Sequence, residues 1–155
     1  MLKAFLTLKF FIKINIIDMS SKHNEKEVLV DKAYQAFFDE HAEFFDNNAK
    51  KAVFLEGVLC QKLLNIQYRE RSATPFRNRL NGLKMNPKIV RRLLPEVIEK
   101  LEQYNKNYYK KLEEAISTLL LNANLDNLSN DEISFYFVMG MNLQKEFVKK
   151  EDNDQ

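Results

Sequence analysis

Residues 53–66 read VFLEGVLCQKLLNI. Val53, Phe54, Gly57, Val58, Leu63, Leu64 and Ile66 recur at three- and four-residue intervals, the spacing of a helical face. The first half of this stretch has almost no polar surface. A helix built from it, predicted over residues 49–71, therefore belongs at the centre of a bundle rather than on its outside.

The flanking segments follow the same period. A helix is predicted from Glu25 to Asp46, with Val30, Ala33, Tyr34, Phe37, Phe38, Ala42 and Phe45 on one face, and Asn47 and Asn48 suit a turn or N-cap. Ser72 to Pro75 breaks the pattern. Phe76 to Leu83 reads as a short helix or turn, with Asn81-Gly82 as its C-cap. Asn86-Pro87 reads as an N-cap followed by Pro at the first helical position. The next stripe is Val90, Leu94, Val97, Leu101, Tyr104 and Tyr108, and Pro95 is expected to kink that helix or divide it. After a break near Asn105 the stripe resumes at Leu112, Ala115, Ile116, Leu119 and Leu120. Asn122 to Asn130 reads as a loop. Ser129-x-x-Glu132 is a capping box opening a last helix that runs to about Lys149. Only 3 Gly and 3 Pro in 155 residues leave too few turn formers for an all-β fold. The expected class is all-α, a bundle of five to six helices over residues 25–149, followed by a disordered acidic tail, 150–155.

Residues 1–24 stand apart. The first 18, MLKAFLTLKFFIKINIID, are mostly apolar, but Lys3, Lys9 and Lys13 interrupt any run that could span a bilayer. The recurring charges and the missing small-residue cleavage site do not fit a signal peptide. Phe10, Ile12, Ile14 and Ile16 alternate as in a short extended strand with no partner strand elsewhere. The segment reads as an extension: either a remnant of a larger subunit or sequence upstream of a true start at Met19.

Two helices echo each other. Phe54-x-x-Gly57-x-x-x-Gln61-Lys62 matches Phe137-x-x-Gly140-x-x-x-Gln144-Lys145. A mid-helix Gly costs about 1 kcal/mol against Ala. Taking that cost twice at matching positions predicts that Gly57 and Gly140 sit at a crowded helix crossing.

The residues offer little for catalysis. A single Cys, Cys60, lies among apolar neighbours, which suits a buried thiol and excludes a Cys-based zinc site. Both histidines, His23 and His41, precede every Arg, which excludes an Arg-then-His catalytic pair. Asp39, Glu40, Glu43 and Asp46 read as a solvated acidic face. No catalytic triad, Walker loop or paired-carboxylate cleft assembles, so the reading is a non-enzyme with no cofactor and no metal.

The charge is unevenly placed. The net +2 hides nine basic residues against one acid in residues 61–92, a local +8, and −6 elsewhere. All six Arg lie between Arg69 and Arg92. Arg is favoured where planar, multi-donor contacts to phosphate are needed. Arg69, Arg71, Arg77, Arg79, Lys84, Lys88, Arg91 and Arg92 are the candidate nucleic-acid contacts, with Tyr68 and Phe76 as candidates for base stacking. The amides after Pro87 are expected to face outward, where an anion could use them. No base-reading module is present, so the expected mode is backbone binding without sequence preference.

Residues 64–83, LNIQYRERSATPFRNRLNGL, and residues 130–143, NDEISFYFVMGMNL, resemble the C-terminal region of the CRISPR type I-B Cascade large subunit; AVFLEG at 52–57 fits the same pattern. The resemblance covers about residues 30–148. It implies a cytoplasmic helical domain, as part of the large subunit or as a separately translated small subunit. Such subunits, in copies, line an RNA-guided effector and hold DNA strands opened by the guide RNA. The implied partners are the other effector subunits, copies of this chain, the guide RNA–target DNA assembly and single-stranded DNA, with no membrane. DNA contact carries over to Arg69, Arg71, Arg77 and Arg79 within the matched string. Lys84, Lys88, Arg91 and Arg92 rest on charge alone. The alternative is a helical assembly module whose Arg patch docks on acidic partner subunits, with no direct nucleic-acid role.

Overall fold

The computed structural model describes residues 32–70, 74–104 and 109–151; for residues 69–70 and 145–151 it describes the backbone alone. The described residues form six α-helices: α1 (Lys32–Glu40), α2 (Asn48–Glu70), α3 (Pro75–Asn81), α4 (Pro87–Gln103), α5 (Lys110–Leu121) and α6 (Asn130–Glu151). A single 3₁₀ turn, η1 (Leu125–Asn127), precedes α6. The all-α bundle is the observed class, and no strand occurs among the described residues. The extended segment expected near residues 10–17 lies outside them.

The sequence signals act where expected at most helix starts. Asn47 Oδ1 accepts the Lys50 amide at 3.0 Å before α2. Thr74 Oγ1 accepts the Arg77 amide at 3.3 Å to open α3. Asn86 Oδ1 accepts the Ile89 amide at 3.0 Å to open α4, with Pro87 at its first position. The capping box closes both ways: the Ser129 amide donates to Glu132 Oε2 at 2.8 Å, and the Glu132 amide donates to Ser129 Oγ at 3.1 Å. These bonds hold the Glu132 carboxyl below its usual range. Ser129→Ala should cost about 1 kcal/mol in urea unfolding. Loss of under a few tenths would show that the cap is dispensable.

α1 ends at Glu40, six residues before the end expected for it, and residues 41–44 form a turn. Of the two outcomes expected at Pro95, division does not occur: α4 runs undivided through it. Pro95 removes the bond to the Arg91 carbonyl, but Arg91 and Pro95 are both exposed, so water can satisfy that carbonyl. α6 continues to Glu151, and residues 152–155 of the expected tail lie outside the described residues. Lys149, Lys150 and Glu151 are adequate helix formers, and no Gly or Pro stops them.

α2 is the central helix. It packs along α6 over most of its length and also against α4 and α5. Ala52 through Cys60 are all buried. α2 and α6 run parallel: Lys50 sits over the Tyr136 ring, Gly57 meets Phe137 and Met141, and Asn65 Nδ2 donates to Gln144 Oε1 at 3.0 Å. The repeated Gly positions are the contact point. A Cβ on Gly57 would fall onto the Phe137 carbonyl and lie 3.2 Å from the Met141 amide nitrogen. A Cβ on Gly140 would fall onto the Phe54 carbonyl and lie 3.1 Å from the Val58 amide nitrogen. The two contacts mirror each other, so the echoed patterns form a pseudo-twofold pair. Around one end of this pair, Phe37, Phe38, Phe45 and Phe54 pack ring to ring with centroids 4.8–6.2 Å apart.

Candidate nucleic-acid interface

α3 and α4 bury one face each, and this places their cations. In α3, Phe76 and Leu80 point into the core, leaving Arg77 and Arg79 outside. In α4, Val90, Leu93, Leu94, Val97 and Leu101 are buried, so Lys88, Arg91 and Arg92 lie on the solvent side. Lys84 is exposed in the connection, pinned between buried Met85 and half-buried Leu83. Thr74 Oγ1 donates to Gln67 Oε1 at 3.0 Å, fixing the start of α3 to the end of α2.

The six described cations are not equivalent. Arg79 pairs with Glu96 across the α3–α4 boundary, and Arg91 lies 3.6 Å from Asp126 of η1. Arg77, Lys84, Lys88 and Arg92 have no carboxylate partner among the described residues. Arg71 lies outside the described residues, and for Arg69 only the helical backbone is described.

The stacking expectation divides. Tyr68 is 64% exposed at the end of α2 and can offer its ring to a base. Phe76 is 3% exposed, so it is corrected to a core residue. Its ring faces are covered by the Arg79 guanidinium at 5.6 Å and the Lys100 ammonium at 5.9 Å. The start of α4 is also less open than expected, because the Asn86 carboxamide already takes the Ile89 amide. An anion there would have to compete with that cap.

Several polar features escape a reading by pattern. Glu56 is fully buried in α2, and neither carboxyl oxygen has a hydrogen-bond partner. Burial pushes its pKa well above the usual carboxylate range. Cys60, one turn on, is raised by burial and by Glu56, which makes it a poor nucleophile. Lys62 is buried with its ammonium 5.1 Å from the centre of the Tyr109 ring. A polar cleft of about 500 Å³ lies between the starts of α2 and α6, lined by Asn47, Asn48, Asn122, Asn124 and Asn127. The charge irregularity within an otherwise apolar run was the available signal for Glu56. Nothing in linear spacing announces the cleft, since its walls come from segments about 80 residues apart.

His41 is half-buried against the Phe37 ring, 4.7 Å between centroids. His23 lies outside the described residues. No group of three or more His, Cys, Asp or Glu suited to a metal occurs among the described residues. Among them, no helix is long and apolar enough to cross a membrane.

No curated protein and no solved structure matches the chain. The model of the CRISPR-associated protein TM1802 (cas_TM1802) C-terminal domain matches residues 1–155. The helical bundle with its basic α3–α4 surface thus belongs to the CRISPR-associated TM1802 C-terminal domain family.

Proposed function

We propose that this chain is a non-catalytic subunit of a CRISPR RNA-guided effector of Cascade type I-B, working in the cytoplasm beside other effector subunits and copies of itself. It holds single-stranded DNA exposed by guide RNA pairing, through phosphate contacts and without sequence preference. The supporting observation is the solvent-facing set Arg77, Lys84, Lys88 and Arg92, which have no carboxylate partner among the described residues. Unpaired cations on two successive helices and the connection between them are what a phosphate chain requires. Tyr68 adds a ring on which a base can stack.

Fluorescence anisotropy with an unstructured single strand tests this reading, using the protein alone and assembled with its partner subunits. Four phosphate contacts predict that log K falls with log salt at a slope of about −3. Arg77→Glu with Arg92→Glu should weaken binding by about tenfold or more at low salt and flatten the slope, with helix content unchanged. DNA affinity that is absent in both settings, or indifferent to salt, would exclude strand holding. A second reading, docking on acidic partner subunits, draws on Arg79 and Arg91, which already engage carboxylates of Glu96 and Asp126. It predicts that the same reversals disrupt subunit assembly while leaving no DNA affinity to lose.

A further inference from the structure

The cleft between the starts of α2 and α6 has a chemistry unlike that of the basic surface. Its charged lining groups are Asp46 and Glu132 against Lys50, and Lys50 is held by Asp46 at 2.9 Å. The two carboxylates stand at the helix starts and already answer the helix dipoles there. The remaining charge is negative, so a phosphate is repelled from the cleft. Most of the other polar lining is carboxamide, a group that both donates and accepts.

These carboxamides are not all spent on the fold. Asn47 Oδ1 accepts the Lys50 amide, and its Nδ2 donates to Asp46 Oδ1. Asn124 Oδ1 accepts the Asp126 amide, and its Nδ2 donates to Asn127 Oδ1. By contrast, the Asn48 side chain makes no hydrogen bond among the described residues, and Asn127 Nδ2 donates to none of them. Both residues are exposed. A carboxylate has about four acceptor sites, and the chain's own bonds leave part of Asp46 and of Glu132 unused.

The cleft adjoins the cations. Asn124 and Asn127, which line it, enclose Asp126, and Asp126 lies 3.6 Å from Arg91 of α4. η1 therefore borders both the cleft and the basic surface. A nucleotide joins an anion to a neutral, planar base edged with donors and acceptors. The cations of α4 suit the first part, and the cleft suits the second. Its volume of about 500 Å³ admits a base. Single strands are commonly read by their unstacked bases, and carboxamides and carboxylates are among the groups that read base edges.

We propose that the cleft receives an unstacked base of the held strand, bonded by Asn48 and Asn127, with the carboxylates of Asp46 and Glu132 accepting from its exocyclic amino group. The inference rests on the strand-holding reading above and adds one base preference to a grip otherwise blind to sequence. Cytosine is favoured over thymine, because its 4-amino group donates where the 4-carbonyl of thymine would face acceptors.

The test compares oligodeoxycytidine and oligothymidine of equal length by fluorescence anisotropy, with the protein alone and assembled with its partner subunits. The two strands carry the same phosphates and should share one salt slope. The cytosine strand should bind about fivefold more tightly or better. Asn48→Ala with Asn127→Ala should bring it to the thymine level, with the slope and the far-UV circular dichroism unchanged. Heteronuclear NMR of the unaltered chain gives an independent readout: the side-chain amide signals of Asn48 and Asn127 should move with the cytosine strand. Equal affinity for the two strands, a preference that survives in the double variant, or amide signals that stay in place would each overturn the base site. Salt-dependent affinity would in those cases still support strand holding. Absence of affinity for either strand, alone and assembled, would overturn both.

Discussion

Gly57→Leu should lose several kcal/mol of stability, about 4 kcal/mol or enough to prevent folding, and Gly140→Leu should do the same. Each new Cβ falls onto a backbone carbonyl of the facing helix, Phe137 or Phe54. A carbonyl within a helix cannot rotate aside as a flexible side chain can, so the α2–α6 pair must separate. That separation opens the largest interface in the bundle. Even Ala, which gains about 1 kcal/mol in helix propensity over Gly, should be strongly destabilising here. Gly82→Ala provides the contrast. Gly82 has φ of −93°, and its nearest neighbour would be the Arg79 carbonyl at 3.7 Å. There Ala should be neutral or stabilise by up to about 1 kcal/mol. Urea unfolding of the three Ala variants separates the two cases. Near-neutral Gly57→Ala and Gly140→Ala would show that the helices do not approach as closely as described.

The reason Gly57 and Gly140 could be read in advance is that a paired local cost implies a shared non-local gain. Helix boundaries were equally legible where capping chemistry is local: Asn86-Pro87 and Ser129-x-x-Glu132 each act within four residues, whereas Thr74, which caps α3, reads in the sequence only as part of a break in the pattern. Pro95 shows the limit of local rules. Its effect depends on whether the freed Arg91 carbonyl meets water or protein, and that is a tertiary fact. The candidate interface divides along the same line. The solvent side of α4 follows from its apolar stripe, so Lys88, Arg91 and Arg92 were placed correctly on the outside. The pairing of Arg79 with Glu96, and of Arg91 with Asp126, joins separate elements and left no trace in spacing. Phe76 looked available because it adjoins the Arg cluster, yet its four-residue spacing to Leu80 turns it inward. Charge placement names the surface, while packing decides which of its members are free.

Glu56 should make the protein less stable as pH rises, against the usual behaviour of carboxylates. Its folded pKa is raised well above the ordinary value because burial disfavours the charged form, and no hydrogen bond offsets that cost. Below the unfolded pKa, near 4.3, the carboxyl is neutral in both states and imposes no ionisation penalty. As pH rises through that value, the unfolded chain releases its proton first while the folded chain retains it. The unfolded state is therefore favoured progressively, and the loss levels off only above the folded pKa. Glu56→Met removes the titrating group while keeping most of its volume. It should stabilise the protein by about 2 kcal/mol or more at pH 8, with much less gain near pH 4. Glu56→Gln should flatten the same pH profile but recover less, since its amide is still buried without a partner. Of the other perturbed carboxyls, Glu113 is raised by burial and by nearby Glu102 and acts in the same sense as Glu56, whereas Asp46 and Glu132 are lowered and contribute in the opposite sense, losing stability as pH falls through their folded values. The difference between wild type and Glu56→Met cancels those contributions and isolates the buried carboxyl. If urea unfolding from pH 4 to pH 8 gives a constant difference between the two proteins, Glu56 is not held neutral in the fold. Growth of that difference with pH would establish an uncompensated acid at the centre of α2, one turn from the thiol of Cys60 that it helps keep protonated.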